Sequence, residues 1–205
     1  MATAGKDKYI RLYDEQTKSI VLKMKENGDM PGHSNRIFCV RFDPLNSNML
    51  ASGGWDNTVQ IYDIRKKGTV GSIYGPHICG DAIDYFNDGF TLLTGSYRQD
   101  NVLELWDLRK LKKFRDIEWD GPKASSLVAG NAGMEDEEAE QENQSPGNSP
   151  TKEGEPAQTE GYSGDYQAPF IYSCQFSKNF DTIMAAGAGC NQVRLFDFET
   201  GNILC

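Results

Sequence analysis

The sequence predicts an all-β chain in which a four-stranded antiparallel unit is used about four times. Three observations predict it. A phrase recurs: Met1-Ala-Thr-Ala-Gly-Lys-Asp-Lys-Tyr-Ile-Arg-Leu-Tyr-Asp14 returns as Leu50-Ala-Ser-Gly-Gly-Trp-Asp-Asn-Thr-Val-Gln-Ile-Tyr-Asp63, then in the stretch from Leu92 to Asp107, and in worn form from Met184 to Asp197. The aspartates that close it stand at 14, 63, 107 and 197, so the steps are 49, 44 and 90 residues, the last about double the others. Repetition at a few tens of residues marks an array of stacked supersecondary units. Finally, no stretch of a dozen residues carries a helical period, whereas short apolar runs are punctuated by Gly, Asp and Asn clusters, as strands and their turns require.

The units follow in order. The first, residues 1–30, opens inside its strand b and lacks strand a and a histidine. The second, 31–75, is complete. Ile37 to Phe42 is strand a, with Phe38, Val40 and Phe42 expected on one side of the pleat. Asn48 to Gly53 is strand b, Thr58 to Asp63 strand c and Thr69 to Tyr74 strand d. The third unit spans 76–122 and ends in a strand from Lys112 to Trp119. Residues 123–168 separate it from the fourth, 169–205, whose strand a runs from Phe170 to Phe176 and whose strand d is only begun. The expectation is an arc of about four blades, drawn from a longer array, closed as a strained four-bladed ring with Met1 to Gly5 beside the last blade, or paired with a second arc.

These residues resemble the WD-repeat family of β-propellers, whose units open near Gly-His and close strand c with Trp-Asp. Gly32-His33 and Tyr62-Asp63 occupy those places in the second blade, and Gly75-Pro76-His77 and Trp106-Asp107 in the third. The resemblance covers nearly all the chain outside 123–168. It implies a buried hydrogen-bonded tetrad in each complete blade: His33, Ser52, Asp56 and Tyr62 in the second, with Tyr in the Trp place, and His77, Thr94, Asp100 and Trp106 in the third. A buried Asp needs donors, an imidazole can bridge a carboxylate to a hydroxyl, and an indole N–H needs an acceptor. The first unit offers Thr3, Asp7 and Tyr13. The fourth has Ala186 and Cys190 in place of Ser/Thr and Asp, so no tetrad is expected there.

The formal charge of −9 has a local source: between Lys123 and Gln167 there are ten acidic residues against Lys123 and Lys152. That segment is rich in Gly, Ser, Pro, Gln and Glu and poor in large aliphatics. It is expected to be a disordered acidic insert, because it cannot bury enough surface to offset its ordering entropy. It carries two proline-directed candidate phosphorylation sites, Ser145 and Ser149, the latter followed by Lys152. No run of 18 apolar residues suggests a membrane span, and no leader is visible at the N-terminus. Five cysteines without a C-x-x-C pair, two of them (Cys39 and Cys174) in strand a, read as small buried hydrophobes. Cytoplasm or nucleus is the expected compartment.

Three classes of function compete. An enzyme finds little support: there is no phosphate loop, no H-E-x-x-H, and both histidines fall at structural positions. The expectation is no catalytic residue, metal, cofactor or small-molecule substrate. Nucleic-acid binding rests on the run Arg109, Lys110, Lys112, Lys113 and Arg115, which has the charge for phosphate contact but lies in and before an outer strand of an acidic chain. The reading that remains is a non-catalytic scaffold binding other proteins through loops on one face. Its candidate contacts are Asn35, Arg36, Trp55, Tyr97, Arg98 and Gln99, since exposed aromatics and arginines dominate interface energy. An alternative makes the chain part of a larger multi-blade subunit of an RNA-processing or chromatin complex. Open strand edges at the arc's two ends would also pair with missing blades or a second copy.

Overall fold

In a computed structural model of the chain, the residues described are 1–26, 28, 30–120, 169–189 and 191–205. Residues 123–168, with Ser145 and Ser149, and Cys190 therefore lie outside them. Every regular element described is a strand. The first sheet has β1 (Ala2–Thr3), β2 (Ile10–Tyr13) and β3 (Ile20–Met24). The second is β4 (Ile37–Phe42), β5 (Met49–Gly54), β6 (Thr58–Asp63) and β7 (Gly68–Tyr74). The third is β8 (Ile83–Tyr85), β9 (Thr91–Gly95), β10 (Leu103–Asp107) and β11 (Lys112–Ile117). The fourth has β12 (Phe170–Phe176), β13 (Thr182–Ala188) and β14 (Val193–Asp197). All pairings are antiparallel and sequential, as in propeller blades. Beside β14, the Phe196–Ile203 bridge and the bond from Leu204 N–H to Leu195 O begin a fourth strand.

The aspartate that closes each repeated phrase has a local task. It caps the turn between the third and fourth strands of its blade. Asp14 Oδ1 accepts from Gln16 N–H and Thr17 N–H at 2.7 and 2.8 Å. Asp63 and Asp107 each accept the N–H two residues on, at 2.9 Å. Asp197 accepts from Thr200 N–H at 2.7 Å. Four residues after each aspartate the backbone is left-handed: φ is 56° at Lys18, 59° at Lys67, 53° at Leu111 and 74° at Gly201. An Asp side chain that mimics a backbone turn makes this geometry recur.

Two apolar clusters hold the blades together. One joins the first and second sheets through Ile10, Leu12, Met24, Ile37, Leu50 and Tyr62. The other runs through the second, third and fourth, from Val59 and Ile73 through Ile83, Leu93 and Leu103 to Ile171 and Phe196. Phe38, Val40 and Phe42 do not share one side of β4. A bulge between Ile37 and Cys39 inserts one residue. Phe38 consequently packs into the larger cluster and Val40 into the smaller. The same bulge recurs in β12 between Ile171 and Ser173. An extra residue in one strand reverses the two-residue alternation beyond it.

Adjacent blades approach closely where strand b carries glycine. A Cβ on Gly95 would stand 2.5 Å from Ile171 Cγ2 and 3.0 Å from Cys174 Sγ. One methyl group there must push the fourth blade away from the third. Gly95→Ala is expected to cost about 2 kcal/mol, the usual scale for overpacking a tight core. A urea titration of the variant reads this as a lower midpoint at an unchanged slope.

Candidate interaction surface

The second blade wires itself together at the end of its sheet where β5 turns into β6. Asp56 lies in that three-residue turn, and His33 in the segment leading to β4. His33 Nδ1–H donates to Asp56 Oδ2 at 2.8 Å, and its Nε2 shares a 2.7 Å hydrogen bond with Ser52 Oγ. Asp56 also accepts from Ser34 N–H at 2.9 Å and from the Thr58 hydroxyl at 2.9 Å. Burial works to raise the Asp56 pKa, but the His33 bond and charge outweigh it, and the carboxyl is held below its ordinary value. Tyr62 is fully buried beside them, yet its hydroxyl has no partner in hydrogen-bond geometry among the described residues. Ser52 and Thr69 are near enough to offset part of the upward push that burial gives the phenol. Three of the four expected members are thus joined and the fourth stands beside them.

The third blade is wired differently. Trp106 Nε1–H donates to Thr94 Oγ1 at 2.9 Å. His77 and Asp100 do not join them, which corrects the expected set. His77 Nδ1 instead bonds Asn57 Oδ1 of the second blade at 2.5 Å. Asp100 is exposed. The cause is turn length: seven residues separate β9 from β10, against three between β5 and β6, and the longer loop carries Asp100 out of reach. Arg98 takes over the bracing. From that loop its guanidinium donates to Gly75 O at 2.9 Å and Asn101 O at 2.9 Å. It also pairs with Glu104 Oε2 at 2.6 Å, at an angle that does not satisfy a hydrogen bond. Glu104, 2% exposed, has Lys113 Nζ on its other oxygen at 3.1 Å. Sequence reading passed over Glu104. Its signal was a carboxylate at the strand-c position where the second blade has buried Gln60.

The candidate contact residues fall into two groups at this end of the sheets. Trp55, 44% exposed, lies against Phe38 with ring centroids 4.9 Å apart. The Arg36 guanidinium stands 5.8 Å from the Trp55 ring and 5.7 Å from Phe38. Trp55 Nε1–H donates to Cys79 Sγ at 3.0 Å, which ties it to the segment leading into β8. Asn35 uses Oδ1 to accept from Arg36 N–H. Tyr97 stacks on Phe170 at 4.5 Å and tilts against Tyr172, 43% exposed, at 5.2 Å. Gln99 is exposed. Phe38, Phe170 and Tyr172 were not among the residues expected here. Alternation hid them, because each sits beside a bulge in strand a.

The remaining sequence expectations resolve in the same frame. Cys39 and Cys174 are buried and free. Burial pushes the Cys39 thiol up to about 12, and Cys174 is raised too, so neither is a ready nucleophile. Three of the five residues of the basic run are engaged by the protein itself, while Lys110 and Lys112 are exposed. Arg109 lies 3.8 Å over the Phe90 ring and pairs with Asp107, Lys113 pairs with Glu104 and Asp116, and Arg115 donates to Phe198 O at 2.6 Å. Among the described residues no group of three or more His, Cys, Asp or Glu is placed to hold a metal. No described helix is long and apolar enough to cross a membrane.

Comparison with known proteins fits this architecture. The model of the "WD domain, G-beta repeat" family matches residues 24–63, from the end of β3 through β6. "LEC14B homolog" of Prunus armeniaca is 28% identical over 131 residues, covering 58% of this chain and 26% of that protein. "Mitotic checkpoint protein bub-3" of Caenorhabditis elegans is 30% identical over 116 residues, 55% of this chain and 30% of that one. "Pre-mRNA-processing factor 19" of Oryza sativa subsp. japonica is 30% identical over 115 residues, 56% and 20% of the two chains. The chain spans less than a third of the length of these relatives. One blade is matched by the repeat model and the sheets beside it follow the same strand plan, which together support a WD-repeat family for this chain.

Proposed function

We propose that this chain is a non-catalytic scaffold that binds protein partners through the end of its sheets bearing Trp55, Arg36, Tyr97 and Tyr172. Its WD-repeat relatives are of the protein-interaction type, which supports the class. The observation that carries the site is the exposed aromatic set: Trp55 and Tyr172 each leave more than two fifths of their surface open while their inner faces are fixed by Phe38 and by Tyr97. A rigid aromatic held this way loses little entropy when a partner covers it, which suits an anchor. Arg98 is better read as a brace than as a contact, since its guanidinium is engaged by Glu104, Gly75 and Asn101. His33 and Asp56 are engaged with each other, which supports a structural role over a catalytic one.

Trp55→Ala together with Arg36→Ala is expected to weaken capture of specific partners at least thirtyfold, the scale of about 2 kcal/mol at an anchor residue. The measurement is quantitative affinity capture from the native source, with Lys66→Ala at the opposite end of the sheets as control. Capture unchanged by the double variant would move the surface elsewhere.

A second reading follows the printed names of two relatives, a pre-mRNA-processing factor and a mitotic checkpoint protein. Under it the chain is one stretch of a multi-blade subunit in an RNA-processing or chromatin assembly, in cytoplasm or nucleus. Ser145 and Ser149 would then regulate binding by adding charge to the acidic tract. Phosphopeptide mapping of the native protein tests that part directly.

A further inference from the structure

Cations gather on one side of the Trp55 indole. Trp55 N–H donates to Arg36 O at 3.0 Å. Gly5 O of the first blade accepts from both Ile37 N–H at 3.1 Å and Lys8 N–H at 3.2 Å. These bonds stitch the turn that joins β1 to β2 onto the start of β4, and so place it beside Trp55. The turn carries Lys6 and Lys8, and Arg36 directly precedes the stitched Ile37.

Lys6, Lys8 and Arg36 make no ion pair with any described residue. Lys6 is exposed, and Lys8 and Arg36 are half-buried. The acids in the same turns are already engaged: Asp7 pairs with Arg11, and Asp56 is held by His33 at 2.8 Å. Lys23 Nζ lies 3.8 Å over the Tyr9 ring rather than against a carboxylate. Around Tyr97 and Tyr172 the balance differs, because Arg98 is used by Glu104 and Arg194 by Asp120 at 2.9 Å. Cations held together without counter-charges attract an anionic partner. The net charge of −9 does not oppose this locally. Most of it belongs to residues 123–168, and the field between exposed charges fades over about 8 Å at physiological salt.

We propose that the Trp55 half of the surface takes an acidic segment of a partner protein, with carboxylates facing Lys6, Lys8 and Arg36 and an apolar side chain lying on Trp55. The proposal rests on the reading of this end of the sheets as the partner surface, and it names the chemistry that surface selects. Trp55 supplies the apolar seat, since it is 44% exposed and its inner side is fixed by Phe38. Two ammonium groups and one guanidinium on separate backbone positions suit separate carboxylates. A nucleic-acid strand is the poorer fit, because its continuous backbone charge calls for a longer basic track than three side chains.

The test is a titration of the isotope-labelled 205-residue chain with acetyl-Glu-Asp-Leu-Asp-Glu-amide, followed by nuclear magnetic resonance. Saturable shifts are expected at the Trp55 indole N–H and at the Lys6 and Lys8 amides. The neutral counterpart acetyl-Gln-Asn-Leu-Asn-Gln-amide is expected to bind about tenfold more weakly, and sodium chloride at about 0.5 M to weaken the acidic probe by a similar factor. Lys6→Gln with Lys8→Asn removes two charges, and Asn tolerates the left-handed backbone at position 8, where φ is 67°. This pair is expected to weaken the acidic probe about fivefold, the scale of two exposed ion pairs, and to leave the neutral one unchanged. Equal binding of the two probes, absence of saturable shifts at these residues, or tighter binding of a pentathymidylate than of the acidic peptide would each overturn the proposal. Affinity capture separates its failure from that of the surface. Partners lost by Trp55→Ala with Arg36→Ala but kept by Lys6→Gln with Lys8→Asn would strike the acidic chemistry and leave the surface standing.

Discussion

Replacing Asp56 by alanine is expected to lower the stability of this protein by about 3 kcal/mol, a fall of roughly 9 °C in melting midpoint for a chain this size. One carboxylate accepts from His33 Nδ1–H, Ser34 N–H and the Thr58 hydroxyl. Its loss leaves the imidazole N–H, in a histidine 1% exposed, without its acceptor. It also frees the β5–β6 turn from the segment that leads into β4. The effect has a pH signature. The folded pKa of Asp56 lies below its ordinary value, so the unfolded chain takes up the proton first as pH falls. The stabilisation is full above the unfolded carboxylate's pKa of about 3.9 and disappears as pH drops through the folded value. Urea titrations of wild type and Asp56→Ala should therefore show their largest difference near neutrality and converge below about pH 4. A difference that persists unchanged at pH 3 would place the cost in packing rather than in the charged network.

Much of this arrangement was legible in the sequence, for an identifiable reason. The aspartates at 14, 63, 107 and 197 could be read because their chemistry is local: each caps a turn within three residues of itself. The strands Ile37–Phe42, Thr58–Asp63 and Phe170–Phe176 could be read because apolar runs between Gly and Asp punctuation are also local signals. The His33–Asp56 pair joins residues 23 positions apart and was reached only through the resemblance to the repeat family; it forms here where a three-residue turn leaves the aspartate little freedom of placement. In the third blade that condition fails. Four more residues in the turn put Asp100 in solvent, and nothing in the letters Arg-Gln-Asp-Asn announces that Arg98 will brace the loop. Bulges were the other blind spot. A single inserted residue in β4 or β12 changes which side chains share a face, and so conceals Phe38 and Tyr172 from a two-residue alternation. The aromatic end of the sheets was therefore only half visible, through the turn residues Trp55 and Tyr97.

Arg98→Ala gives the largest effect expected in the third blade, also about 3 kcal/mol, and it separates a brace from a contact. Arg98 was a candidate for partner binding because arginines in exposed loops commonly serve that purpose. Its surroundings point inward. Glu104 is 2% exposed and depends on Arg98 and Lys113 for compensation of its charge. With Arg98 removed, one oxygen of a buried carboxylate faces no cation, and the Gly75 carbonyl loses its donor. Breaking one side of a buried ion pair costs more than the pair ever contributed, because the stranded charge remains. That asymmetry supplies the check. In a Glu104→Gln background no charge is stranded, and the same Arg98→Ala change should cost only about 1 kcal/mol, the loss of ordinary hydrogen bonds. The four proteins form a double-mutant cycle read by chemical denaturation. A coupling near 2 kcal/mol identifies Arg98 as the third blade's substitute for the histidine wiring of the second. A coupling near zero, with stability unchanged by Arg98→Ala and partner capture lost, would return the guanidinium to the binding surface beside Trp55 and Arg36.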